Sequence, residues 1–137
     1  MNWLTRLFHV ADKVQPVSVT DANFHAEVLQ SELPVLVDFW SPGCGPCGQL
    51  APIVVDLATE FEGRLKVVEV NVVDAQKIAR RYGVMATPTV LYFKKGGMVD
   101  KVVGFRGSLY HREIVENSLI DMPTASASAS APATTSA

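Results

Sequence analysis

The run Pro34-Val35-Leu36-Val37-Asp38-Phe39-Trp40 limits the possible folds more than any other part of this chain. It is short, β-branched and apolar on both faces, the pattern of a central strand covered on both sides. Ser41-Pro42-Gly43 breaks it. From Cys47 onward, Leu50, Ile53, Val54, Leu57, Ala58 and Phe61 trace one face of a helix, with Pro52 placed to kink it and Gly63 to end it. Leu65 to Val72 reads as a second strand and the stretch near Ala75 to Tyr82 as another helix, a crossover that makes the two strands parallel. Thr89 to Phe93 and Val99 to Phe105 flank Lys94-Lys95-Gly96-Gly97, a hairpin signal, and a last helix from Ser108 to Ile120 closes the domain. Upstream, Val17-Ser18-Val19 is a candidate short strand. Thr20 or Asp21 is placed to cap a helix containing Phe24, Val28 and Leu29, which Pro34 ends.

At 137 residues, 48% hydrophobic and 19% charged, the chain has room for one ordinary domain with its own core but not for a second. The expected division is an N-terminal extension over residues 1–15, a domain over 16–122 and a tail over 123–137. In the extension, Leu4, Leu7, Phe8, Ala11 and Val14 fall at helical spacing, while Arg6, His9, Asp12 and Lys13 interrupt any signal core or membrane span. A short amphipathic helix that packs on the domain or frays is expected there, with contact to a membrane surface as the alternative. An uncleaved, soluble chain is expected. Pro123 to Ala137 contains only Pro, Thr, Ala and Ser, with nothing apolar enough to offset the entropy of ordering it, so disorder is expected.

Twelve basic and fourteen acidic residues give a net charge of -2 with no long basic run, which argues against nucleic acid as a partner. Two cysteines are too few for a secreted disulfide scaffold, and their C-x-x-C spacing matches redox use inside a cell. At the mouth of a helix, the thiolate of Cys44 meets unpaired N–H groups and the positive end of the helix dipole, which makes Cys44 the attacking sulfur. Cys47 lies on the same helix face, further from solvent, as the resolving thiol. Pro46 fixes one φ angle between them and Gly45 keeps the approach open. Zinc is disfavoured, because such sites need two more ligands and His9, His25 and His111 show no matching spacing. Asp38, a carboxylate inside an apolar strand, is expected to be desolvated and to hold its proton more tightly than usual. Two roles stay open for it: a proton acceptor for Cys47, or a buried carboxylate satisfied by hydrogen bonds.

VDFW at Val37 to Trp40, CGPC at Cys44 to Cys47, Ala51-Pro52 shortly after, and Thr87-Pro88-Thr89 before a strand fall in one order and spacing. Over roughly Pro16 to Met122 the chain resembles the thioredoxin family. The resemblance implies an α/β fold with a central mixed sheet flanked by helices on both faces, and a thiol-disulfide oxidoreductase that reduces protein disulfides with the Cys44/Cys47 dithiol, which closes to a Cys44–Cys47 disulfide. It favours the proton-acceptor role of Asp38. It also implies a cis bond between Thr87 and Pro88, a client segment held by the backbone of Thr87 as an added strand, and a docking patch of Gly45, Pro46, Pro88, Gly104 and Phe105. For Gly104 and Phe105 a turn and a core aromatic are the alternative.

Three positions depart from the family pattern. Gly43 stands where a tryptophan usually precedes the first cysteine, Gly48 replaces the common basic residue after the second, and Glu69 falls where many members carry a lysine. Glu69 and the missing positive charges oppose ionisation of Asp38 and of the thiols, so a less acidic Cys44 is expected. The leading expectation is an enzyme working as an electron carrier in cell redox homeostasis: cytoplasmic, monomeric, without bound cofactor or integral membrane segment. A thioredoxin reductase-like donor, NADPH-linked or ferredoxin-linked, supplies it, and protein disulfide clients receive its electrons. A disulfide isomerase or oxidase, and a non-catalytic binding module on the same fold, are the competing readings.

Overall fold

A computed structural model describes residues 12–120 of the chain. The helix expected over Met1 to Val14 falls outside these residues except for Asp12 to Val14, which are not helical, and the tail from Pro123 to Ala137 lies wholly outside them. In chain order the elements are β1 (Val17–Ser18), α1 (His25–Leu29, wound as a π-helix), β2 (Val35–Trp40), α2 (Gly45–Glu60), β3 (Lys66–Asn71), α3 (Gln76–Arg81), β4 (Thr89–Lys94), β5 (Gly97–Val103) and α4 (Ser108–Ile114). The last runs on as a π-helical turn through Val115–Leu119.

The strands form one mixed sheet in the order β1-β3-β2-β4-β5. The β2-α2-β3 crossover makes β2 and β3 parallel neighbours, β1 joins β3 in parallel, and β4 and β5 run antiparallel. β2 is thus the middle of the sheet, with Val35 to Phe39 all buried. Alternation along it sends side chains to two separate cores. Leu36, Val67, Val90 and Tyr92 meet Leu50, Val54, Leu57, Val115 and Leu119 under α2 and α4. Val35, Val37, Phe39, Val68, Leu91 and Phe93 meet Phe24, Val28, Ala75 and Ile78 under α1 and α3. Asp38, between Leu36 and Trp40 in the alternation, therefore faces α2.

Two local expectations need correction. The first residue of α1 has no side-chain cap, and the Thr20 hydroxyl caps only the turn just upstream, accepting the Ala22 N–H at 3.3 Å. Thr20 also closes a turn with Asn23, and the Asp21 carboxylate instead reaches across to α3, accepting from the N–H groups of Lys77 at 3.3 Å and Ile78 at 2.9 Å. A carboxylate at that point satisfies orphan donors and complements the helix dipole. The final strand also begins two residues earlier than expected and stops at Val103. Lys95 and Gly96, with φ of 50° and 80°, make a two-residue turn, so pairing resumes at Gly97, and Gly104 at φ 84° ends it. Midway along β5, Lys101 donates through Nζ to the carbonyls of Tyr82 at 3.1 Å and Gly83 at 2.9 Å, closing the C-terminal end of α3.

One polar pair lies in the core under α4. Tyr92 Oη and His111 Nδ1 are hydrogen-bonded, and His111 is 1% exposed with its Nε2 unpartnered. Burial pushes the imidazole down to about 4 and pushes the phenol upward.

Candidate active site

The site forms where β2 gives way to α2. Ser41, Pro42 and Gly43 carry the chain off the C-terminal end of β2, and Gly43 adopts φ 74°, a conformation that L side chains resist. Cys44 then takes the N-cap position of α2 with extended backbone angles, and its Sγ accepts the N–H of Cys47 at 3.2 Å. Pro46 sits in the first turn, where its missing N–H costs nothing. Cys44 and Cys47 are joined by a disulfide, with Cα atoms 5.2 Å apart. Cys44 is half-buried, whereas Cys47 is 7% exposed. One sulfur of the pair therefore meets solvent and the other faces the interior.

Opposite the cysteines stands the loop before β4. The Thr87–Pro88 bond is cis, and the Thr87 carbonyl oxygen lies 3.5 Å from Cys44 Sγ. This loop is bonded from three sides: Thr87 Oγ1 to Ser41 Oγ at 2.7 Å, Thr89 Oγ1 donating to the Ala86 carbonyl at 2.7 Å, and the Gly104 N–H donating to the Pro88 carbonyl at 2.8 Å. The last bond brings Gly104 and Phe105 beside Pro88. Phe105 is 41% exposed, so it is not a core aromatic. Gly45 and Pro46 are exposed at the start of α2, and Pro88 itself is buried. Sequence reasoning passed over Met85, which is 95% exposed two residues before Thr87. Its signal was an apolar residue in a segment with neither helical nor strand periodicity. It also passed over the Ser41–Thr87 hydroxyl pair, which no local pattern reveals.

Beneath Cys47 the floor is acidic. A cleft of about 360 Å³ is lined by Asp38, Trp40, Cys44, Cys47, Gly48 and Glu69 among others. Asp38 is 5% exposed, and its Oδ1 has no hydrogen-bond partner among the described residues. Its carboxyl is pushed up to about 7, first by burial and second by the like charge of Glu69, directly opposite on β3. Burial also raises Glu69, which is only partly enclosed. Gly48 borders the cleft without crowding, since a Cβ there would meet nothing within 4 Å. Among the described residues no lysine or arginine lines this cleft.

An exposed sulfur and a buried one in a single disulfide, at a helix N-terminus, can cycle between disulfide and dithiol while one sulfur engages another protein. Comparison with known proteins agrees. The Thioredoxin family model matches residues 15–116. Thioredoxin 1 of a Nostoc species is 51% identical over 86 residues, covering 63% of this chain and 80% of the relative. Thioredoxin of Rickettsia felis is 40% identical over 104 residues, covering 76% and 91%. A chloroplastic M-type thioredoxin of Pisum sativum is 43% identical over 99 residues, covering 72% and 58%. Sheet order, cysteine pair and sequence matches lead to one conclusion: the chain belongs to the thioredoxin family and reduces protein disulfides by dithiol exchange through Cys44 and Cys47.

Proposed function

We propose that Cys44 is the nucleophile, Cys47 the resolving thiol and Asp38 the proton acceptor of a reductant that passes electrons to protein clients. The carrying observation is the stacking of the three groups by depth: Cys44 half-buried, Cys47 nearly enclosed, Asp38 enclosed with an unpartnered oxygen in the same cleft. Cys44 attacks the client disulfide and releases one client thiolate. Cys47 then attacks Cys44 Sγ, its proton passing to Asp38, and the second client sulfur leaves. The client segment lies along Thr87 as an added strand, over a patch of Gly45, Pro46, Pro88, Gly104 and Phe105 that Met85 extends. Gly43 and Glu69 modulate the pair, the first by leaving its flank open and the second by its charge.

The working setting of this reading is a monomeric, cytoplasmic electron carrier, re-reduced by a thioredoxin reductase-like donor. Two cysteines in a redox pair suit a reducing compartment, and among the described residues no helix is long and apolar enough to cross a membrane. The Pisum sativum relative is named as chloroplastic.

Two measurements test the reading. Cys44→Ser abolishes reduction of a protein disulfide, and Cys47→Ser accumulates a mixed disulfide with the client; turnover by either variant overturns the assignment. Equilibration against glutathione gives a potential near roughly −270 mV, the reference value for thioredoxin itself. Gly43 in place of the flanking tryptophan favours a second reading, an isomerase or oxidase, whereas Glu69, by disfavouring the thiolate, works against it. A potential of roughly −180 to −120 mV would select it.

A further inference from the structure

We propose that Glu69 is the outlet for the resolving thiol's proton, carrying it between the enclosed Asp38 and solvent across the cleft the two carboxylates share. This rests on Asp38 being the acceptor from Cys47. A base that is 5% exposed must discharge its proton after every turnover, and Asp38 has no partnered hydrogen bond at Oδ1 along which to pass it. The parallel register sets Glu69 directly opposite Asp38, so both side chains leave the same face of the sheet. Both line the cleft that holds Cys44 and Cys47, and Glu69 is the partly exposed member at its boundary.

Among the described residues the groups facing Asp38 leave no rival for the task. From α2 come the two cysteines, from β3 comes Glu69, and on β4 Val90 stands opposite Asp38, with Tyr92 two residues further along, its hydroxyl already engaged by His111. A lysine opposite Asp38 would hold the carboxylate charged but, being protonated itself, would not take its proton; a carboxylate can. Trp40 Nε1, buried without a partner in the same cleft, offers a donor that orients a carboxylate or a water between the two acids. Burial also brings the proton affinity of Glu69 upward, towards that of Asp38.

The step balances without another reactant. The Cys47 S–H bond breaks as its sulfur forms the bond to Cys44 Sγ. The bond between Cys44 and the client breaks, and the client sulfur departs with the electron pair. The proton goes to Asp38, then to Glu69, then to water or buffer, from which the client thiolate is reprotonated.

The test is resolution of the Cys44 mixed disulfide with a model peptide under multiple turnover, at saturating peptide and reductant, so that Asp38 must shed a proton in every cycle and client affinity drops out of the rate. In dilute buffer near pH 7, Glu69→Gln and Glu69→Lys should both slow resolution on the order of 10-fold, less than the ~100-fold or more expected on losing the base itself. Raising the concentration of imidazole or acetate should restore both variants, because a small acid-base pair enters the open cleft, and should leave the parent protein unchanged. If Glu69→Lys instead speeds resolution, or if neither variant responds to buffer, Glu69 acts only through its charge and the proposal falls. Asp38→Asn separates the two readings. If it does not slow resolution, the acceptor role fails; if it does while the Glu69 variants match the parent, only the outlet fails.

Discussion

Replacing Asp38 with asparagine converts the burial of one carboxyl into a measurable stability. In the native protein Asp38 ionises at about 7, whereas an exposed aspartate does so at 3.8. Above 3.8 the unfolded chain gives up this proton first, so stability is lost as pH rises and the loss is complete once pH passes about 7. The full difference corresponds to about 4 kcal/mol, of which about 2 kcal/mol is already present at pH 5. Asparagine keeps the shape and cannot ionise, so the variant escapes the penalty. Urea unfolding of the oxidised protein should show the gap between Asp38→Asn and the parent widening by about 2 to 3 kcal/mol from pH 5 to pH 8. Any fixed cost of burying the amide cancels in that comparison. A gap that stays constant over this range would mean that Asp38 is ionised in the folded protein throughout, and the reasoning from burial would be wrong.

His111 titrates in the opposite sense: its imidazole is pushed down to about 4, so the unfolded chain takes up the proton first as pH falls from 6.5, and about 3 kcal/mol is lost by pH 4. Unfolding of His111→Leu across that range should show a correspondingly flatter pH slope, and an unchanged slope would refute the assignment. Gly43→Ala puts a Cβ where φ is 74° with open space around it, so the cost is backbone strain alone, about 1–2 kcal/mol in unfolding experiments. Glu69→Lys replaces a like charge with an opposite one beside Asp38, and thiolate absorbance of the reduced protein should then titrate at lower pH; an unmoved curve would mean that Glu69 does not sense the pair.

Much of this was legible in the sequence because it depended on short-range pattern. Val35 to Phe39 is buried on both faces, as its composition required, and the turn residues at Lys95-Gly96 marked the hairpin although not the register of the strand that follows. Cys44 fell at the helix mouth because Pro42-Gly43 must end the strand and Pro46 suits a first helical turn. What stayed hidden involves partners far apart in the chain. Asp21 looked like a local cap, and only the packing of α1 beside α3 shows that it serves Ile78 instead. Tyr92 and His111 each read as unremarkable until β4 and α4 bring them together. The pairing of Asp38 with Glu69 needs the strand register, which composition does not supply.

The loop that faces Cys44 has a further significance in the hydrogen bonds at its two ends. Lys101 holds the carbonyls of Tyr82 and Gly83 at its start, while Ser41 and the Gly104 N–H hold Thr87 and Pro88 at its end. A free segment of this length would surrender conformational entropy on meeting each client, at about 1–2 kcal/mol per residue fixed. Here that loss has already been taken during folding, so on the proposed mode of client binding an incoming strand would meet a ready template and only the client would have to become ordered. A carrier working in the proposed way gains from this, because its grip on a client would rest on backbone geometry that any sequence can supply rather than on particular side chains.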